Sequence, residues 1–323
     1  MTCHFSRRTI LITAAAAFAA ASVQAQSWPS KPIRVIVPYA PGGPSDAVAR
    51  LLAEHMQLGQ AVVVENRAGA SGATGMDAVA KSLPDGHTLA FAAISPITLN
   101  PHLGKVPYDP RKDFVPVARV MYSPIYLAAT PAFSGNTFAD AITQAQARPG
   151  ELRVATSGMG SVGHVMLEQI SRKAQVQFNH IPYKGSGQVI NDAAGGVFDL
   201  FTANPSPAVN ALIAQGRLRV LAVAAPRRFM SMPDVPTLEE LGHADANLSS
   251  VFGIFAPART PVDVLKRINA EVNRVLADND VQERLSRLDY VVSTGSIEQF
   301  TTQVEREFDA NARLVKAAGV RME

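Results

Sequence analysis

Two loops in opposite halves of the chain carry the residue types and spacing of an anion site. Pro41-Gly42-Gly43-Pro44-Ser45-Asp46 follows a β-branched run and opens a helical pattern. Its glycines let the backbone turn tightly and bring amides close to a ligand, and the helix dipole adds positive potential there. Ser45 offers a hydroxyl, whereas Asp46 has no donor when ionised and is expected to fix the loop. Alone, such a turn serves equally as a plain helix cap. Thr156-Ser157-Gly158-Met159-Gly160-Ser161-Val162-Gly163-His164 repeats the strand-to-helix pattern in the other half. Two helix N-termini facing across a cleft would grip a molecule with two acidic ends. His164 can add a hydrogen bond, but a histidine in a first helical turn more often has a structural duty.

A third loop, residues 66–75, has three glycines spaced as in a phosphate-binding turn. It lacks the Gly-Lys-Ser/Thr ending, and no acidic residue follows at the distance a dinucleotide site needs. Catalytic patterns are missing too. Neither Ser71, Ser161 nor Ser186 stands in Gly-x-Ser-x-Gly, and His-Glu-x-x-His does not occur. His55, His87, His102, His164, His180 and His243 are scattered without ligand spacing. No metal and no cofactor are expected.

These loops sit in a β-α-β rhythm. Strands are expected at 33–37, 61–65, 88–93, 125–130, 153–155 and 177–181 and around Leu200 and Val220; helices are expected at 45–56, 74–81, 138–147, 162–173 and 186–195. The alternation argues for an α/β fold with parallel sheets under helical cover. Residues 261–278, 280–288 and 296–317 read as helices with little strand between them, expected to pack back onto the first half. About 300 residues exceed one comfortable core, so two domains are expected.

Export is the expectation at the N-terminus. Arg7 and Arg8 precede an apolar stretch at 10–22, and Val23-Gln24-Ala25 fits a cleavage site, so the mature chain is expected to begin near Gln26 in the periplasm. The stretch is about 13 residues against the roughly 20 of a spanning helix. Ser6-Arg7-Arg8 suits a twin-arginine or an ordinary secretory signal equally. Cys3 is the one cysteine, which leaves the mature chain without thiol chemistry or a disulfide. Without Arg7 and Arg8 the 30 basic residues become 28 against 27 acidic, a balance that argues against nucleic acid as a partner.

The chain resembles the Bug family, the extracytoplasmic receptors of tripartite tricarboxylate transporters. The likeness rests on Trp28-Pro29-Ser30-Lys31-Pro32-Ile33, the 38–46 loop, Glu65-Asn66-Arg67-Ala68-Gly69, Tyr108-Asp109-Pro110-Arg111-Lys112-Asp113-Phe114, Pro182-Tyr183-Lys184-Gly185, residues 216–223, Pro233-Asp234-Val235-Pro236-Thr237 and residues 256–261. Their order and spacing span nearly the whole mature chain. The resemblance implies a two-lobed Venus-flytrap fold of the periplasmic binding protein type, with lobe 1 at 26–123 plus 249–323 and lobe 2 at 124–248. It implies a small carboxylate ligand, a di- or tricarboxylate, delivered to membrane subunits of such a transporter, and the chain is expected to be a monomer. Carried over, the first site is Gly42, Gly43, Ser45 and Asp46 with Ser71 and Ser95; the second lobe offers Thr156, Ser157, Gly160, Ser161, Val162 and His164.

Where many relatives carry an acidic residue after the Asp199-Leu200-Phe201 strand, this chain has Ala203. A ligand without a free amine is therefore expected, and Phe201 and Phe252, should they face the cleft, suit an aromatic acid. Tyr108–Phe114 and Pro233–Thr237 are expected to be packed turns. The competing readings are an exported hydrolase using the same cleft, and a ligand sensor or interaction protein.

Overall fold

In the computed structural model, which describes residues 28–318, the β-branched run Ile33–Val37 forms β1 and is buried at four of its five positions. The export segment, Cys3 and the cleavage site near Ala25 and Gln26 lie outside the described residues. Chain order continues through α1 (Pro44–His55), β2 (Val62–Asn66), α2 (Ala73–Ala80), β3 (Thr88–Ala93), α3 (Ser95–Thr98), α4 (Asn100–Leu103) and β4 (Phe114–Ser123). Next come β5 (Ile125–Ala129), α5 (Phe138–Ala147), β6 (Arg153–Thr156), α6 (Val162–Ala174), β7 (Asn179–Pro182), α7 (Ser186–Ala194), β8 (Leu200–Ala203), α8 (Pro207–Ala214) and β9 (Arg219–Ala224). The remainder is β10 (Ser250–Pro257), α9 (Val262–Leu276), α10 (Asn279–Ser286), β11 (Val291–Val292) and α11 (Ile297–Ala318).

Two sheets result. The first has strand order β11-β4-β10-β3-β1-β2, and the second β7-β6-β8-β5-β9. Each is covered on both faces. On one face of the first sheet Val35, Phe91 and Phe252 pack with Leu52 of α1, Ile268 and Val272 of α9 and Leu285 of α10. On the other, Ile36, Ala90 and Phe255 meet Met76 of α2 and Phe300 and Val304 of α11. The C-terminal helices thus return to the first sheet. In the second sheet Leu127, Val154 and Leu221 pack under Phe138 of α5 and Met166 and Ile170 of α6, with Tyr126, Phe201 and Val189 of α7 on the reverse face.

The expectation of parallel sheets requires correction, because both sheets are mixed. β1 pairs parallel with β2 and β3, and β6 with β7 and β8, as a β-α-β rhythm demands. β10 runs antiparallel to β3 and β4, and β5 antiparallel to β8 and β9. These antiparallel strands carry the chain between the sheets: it leaves the first at Ser123 and returns at Ser250, and these two residues are register partners. Asn204, just past β8, clips this crossing through its side-chain nitrogen, which donates to Ser123 Oγ at 3.0 Å and to the Pro124 carbonyl at 2.9 Å.

Packed turns close the remaining corners. Tyr108 is buried, its hydroxyl donates to the Pro96 carbonyl at 2.8 Å, and its ring meets Phe114 edge-on at 5.2 Å. After Pro233, the Thr237 amide donates to Glu240 at 2.8 Å, and Arg228 pairs with Glu240 at 2.9 Å.

Gly253 sets how closely α11 can approach β10. A Cβ there would stand 2.4 Å from the Phe300 ring and 2.7 Å from the Ala118 carbonyl. Gly253→Ala is expected to destabilise the fold by about 1–3 kcal/mol through overpacking, read as a lower urea midpoint with unchanged slope.

Candidate ligand-binding cleft

The rims of the two sheets meet where second-lobe main chain lies against the first lobe. Ser71 of the first lobe donates its hydroxyl to the Met159 carbonyl of the second. Four second-lobe glycines lie against first-lobe atoms. A Cβ on Gly158 would stand 2.6 Å from Ser71 Oγ, on Gly160 2.5 Å from Asn100 Oδ1, on Gly185 3.0 Å from the Ala40 amide nitrogen, and on Gly187 2.2 Å from the Pro41 carbonyl. Behind this rim Leu99 and Leu103 pack with Val165 of α6 and Val315 of α11. The lobes are shut on each other.

Between them lies a cavity of about 570 Å³, counting its solvent-open mouth. Its polar lining is Ser45, Ser71, Ser95, Ser157, Ser161, Ser186, Ser250, Thr202, Tyr39 and Asn204, without a charged side chain. Three helices begin at its wall. α1 starts at Pro44 and α7 at Ser186, neither with a side-chain cap on its first amides. α6 starts after Ser161, whose Oγ accepts from the His164 amide at 3.1 Å and whose hydroxyl proton remains available. First-turn amides have no intrahelical acceptor, so a carboxylate in this cavity meets hydroxyls and amides at the positive ends of three dipoles.

Ser71 sits in the left-handed region at φ 51°, ψ 37°, costly for a serine. The cross-lobe bond to Met159 and the Asn100 side-chain amide on the Ser71 carbonyl, at 3.1 Å, hold it there. Tyr39 bonds Ser95 and the Ala93 main chain, and burial pushes its phenol up, so it stays protonated.

Residues 48–320 match one family: Tripartite tricarboxylate transporter family receptor. The chain belongs to that family. The periplasmic binding protein BugD superposes with a TM-score of 0.86 at 31% identity, over 92% of this chain and 100% of its own. An R. palustris protein with adipate gives 0.85 at 32%, over 91% and 99%. MatC from Rhodopseudomonas palustris, with bound malate, gives 0.84 at 30%, over 89% and 100%. This tripartite tricarboxylate transporter receptor is a two-lobed binding protein and not an enzyme. Among the described residues no cluster of His, Cys, Asp or Glu could hold a metal, and no helix is long and apolar enough to cross a membrane.

Of the residues singled out in the sequence, Ser45, Ser71, Ser95, Ser157, Ser161, Val162 and Ala203 line the cavity. Gly42, Gly43, Asp46, Thr156, Gly160 and His164 stand behind it. Gly42, at φ 82°, gives its amide to Asp46 at 3.1 Å, so that amide is not free for a ligand. Asp46 also takes Arg50 at 3.1 Å, and Arg50 reaches Asn66 at 3.2 Å, tying two loops together. Burial pushes the Asp46 carboxyl up, but hydrogen bonds from Arg50, Gly42 and Asn66 outweigh it and hold it below its usual value. Gly43 opens α1, with Ser186 Oγ 3.1 Å from where its Cβ would stand.

Thr156, Gly160 and His164 brace the second-lobe loop from within. His164 Nδ1 accepts from the Gly160 amide at 3.2 Å, and the ring stacks on His180 at 4.4 Å. Thr156 Oγ1 lies 2.8 Å from His180 Nε2 and accepts from the Gly158 amide at 3.2 Å. Phe201 is wholly buried in the second core, which removes one of the two rings suggested for an aromatic acid; Phe252 borders the cavity and stacks on Phe91. Sequence reasoning missed Ser186, though Gly185-Ser186 repeats the glycine-then-hydroxyl opening of the other loops. It also missed Tyr39, Thr202, Asn204 and Ser250, which lie on strand ends or hinge crossings where no local pattern marks them.

Gly187→Ala is expected to hold the rims apart and weaken ligand binding by about 1–3 kcal/mol, with a larger radius of gyration at saturating ligand than wild type. Burial, with mutual repulsion at His164, pushes both stacked histidines down to about 4 from 6.5. The unfolded chain therefore binds more protons between those values, and stability falls as pH drops from 6.5 towards 4. His164→Gln with His180→Gln should flatten that part of the melting-temperature profile, whatever its effect at neutral pH.

Proposed function

We propose that this periplasmic solute-binding protein captures a small carboxylate without a free amine by closing its lobes and delivers it to the membrane subunits of a tripartite tricarboxylate transporter. The observation that carries this reading is a cavity rich in hydroxyls and helix N-termini with no charged side chain. Each hydrogen bond to a carboxylate contributes about 1.5–3 kcal/mol net. An ammonium group would be buried there without an anion, at a cost of several kcal/mol. Ala203, at the wall, supplies no such anion. The proteins solved with adipate and malate support a linear acid, and one ring already stacked on Phe91 gives an aromatic acid little.

In this reading Ser45 and Ser95 act from lobe 1, where Ser71 holds the rim closed on Met159, and Ser157, Ser161 and the amides of Val162 and Gly163 act from lobe 2. Gly42, Asp46, Thr156, Gly160 and His164 position those loops. Ser186, with the first amides of α7, joins the ligand contacts. The lobe division runs 26–123 plus 249–323 against 124–248, and the mature monomer begins near Gln26 after export. Ligand bridging both lobes binds the closed state better than the open one, and that difference drives closure.

A thermal-shift panel on protein from Gln26 tests the reading, using C4 to C6 diacids, citrate, benzoate, phthalate, terephthalate, glutamate and aspartate. Ligand at about a hundred times its Kd stabilises by about 2.7 kcal/mol, so a linear diacid should raise the melting temperature measurably. Shifts confined to the amino acids, or none with any acid, would contradict it.

A further inference from the structure

Thr202 is the one residue of the cavity lining whose side chain has a buried oxygen without a hydrogen-bond partner among the described residues. It is 2% exposed, on β8 beside Ala203. A buried hydroxyl left unpaired costs stability, and valine would fill the same shape without that cost. The neighbouring helix is packed closely against it. Gly163 stands inside the first turn of α6 without a positive φ, so its conformational freedom is not in use and alanine would be the better helix former. What excludes alanine is Thr202: a Cβ on Gly163 would stand 2.2 Å from Thr202 Oγ1 and 2.9 Å from Thr202 Cβ. The close approach of Gly163 thus seats the Thr202 side chain beside the first turn of α6, with a hydroxyl that no described residue uses.

We propose that Thr202 is the specificity-determining donor of the second lobe, taking an oxygen at the distal end of the ligand together with the Val162 and Gly163 amides. The inference rests on the carboxylate reading above and adds to it a requirement for a second oxygen function. Thr202 then separates diacids from monoacids of equal length: a diacid gives the hydroxyl an acceptor, and a monoacid leaves it unpaired beside a methyl group.

The test is calorimetry on the full mature chain, wild type against Thr202→Val and Thr202→Ser, with adipate, succinate and malate as diacids and hexanoate and butyrate as monoacids. Thr202→Val should melt at or above the wild-type temperature without ligand, bind the diacids about 10- to 100-fold more weakly, and lose preference for diacid over monoacid. Thr202→Ser should keep the preference. Gly163→Ala, which displaces the hydroxyl, should weaken diacids as Thr202→Val does. An unchanged diacid-to-monoacid ratio in Thr202→Val, or a lower melting temperature without ligand, overturns the inference while the carboxylate reading stands. Wild-type protein that binds none of these acids overturns both.

Discussion

An anion held without a cation needs several neutral donors brought within hydrogen-bond distance at once, and no single loop of this chain supplies them. Amides at the start of α1 belong to one sheet; those of α6 and α7 belong to the other. They converge only because second-lobe glycines touch the first rim, Gly158 and Gly160 against the Ser71 and Asn100 side chains and Gly185 and Gly187 against the Ala40 and Pro41 main chain. Side chains at those places would open the cleft and separate the donors. The rest of the molecule serves that approach: covered sheets give each rim a rigid support, and the β4–β10 pairing with the Asn204 clip fixes the axis on which they meet.

The same constraint explains how the charged groups near the site are used. Asp46 and Arg50 satisfy each other while orienting the α1 loop, and His164 and His180 are neutral supports of the α6 loop. Charge is kept behind the wall, where it stiffens the loops, and the cavity itself presents dipoles. Such a surface binds a carboxylate tightly only when closed and water-poor, because in water the same hydrogen bonds contribute little net free energy. In the proposed function, binding and closure are therefore one event.

Much of this was legible in the sequence where local chemistry writes it. Ile33–Val37 and Phe138–Ala147 occupy their expected bounds because a β-branched run and the Thr137–Asp140 capping box decide locally. The Gly-Ser openings at residues 42–45 and 157–163 announced helix N-termini. β4 and β10 did not announce themselves. β10 is buried at every position and has no alternation, and Pro116 and Gly253 interrupt the pattern of both strands. Their antiparallel return depends on partners far along the chain. Distance in sequence also hid Ser250 and Asn204, and it hid that Thr156 bonds His180 and that Gly160 bonds His164. Only tertiary contacts show which member of a small polar loop faces the cavity.

The most direct measurement is a diffraction structure of the mature protein with its tightest-binding acid from the panel. The account predicts carboxylate oxygens at about 2.7–3.2 Å from the opening amides of α1 and of α6 or α7, and from hydroxyls among Ser45, Ser95, Ser157, Ser161 and Ser186, with no Arg or Lys side chain in contact. A ligand bound elsewhere, or one whose carboxylate is paired with a cationic side chain swung into the cleft, would contradict it.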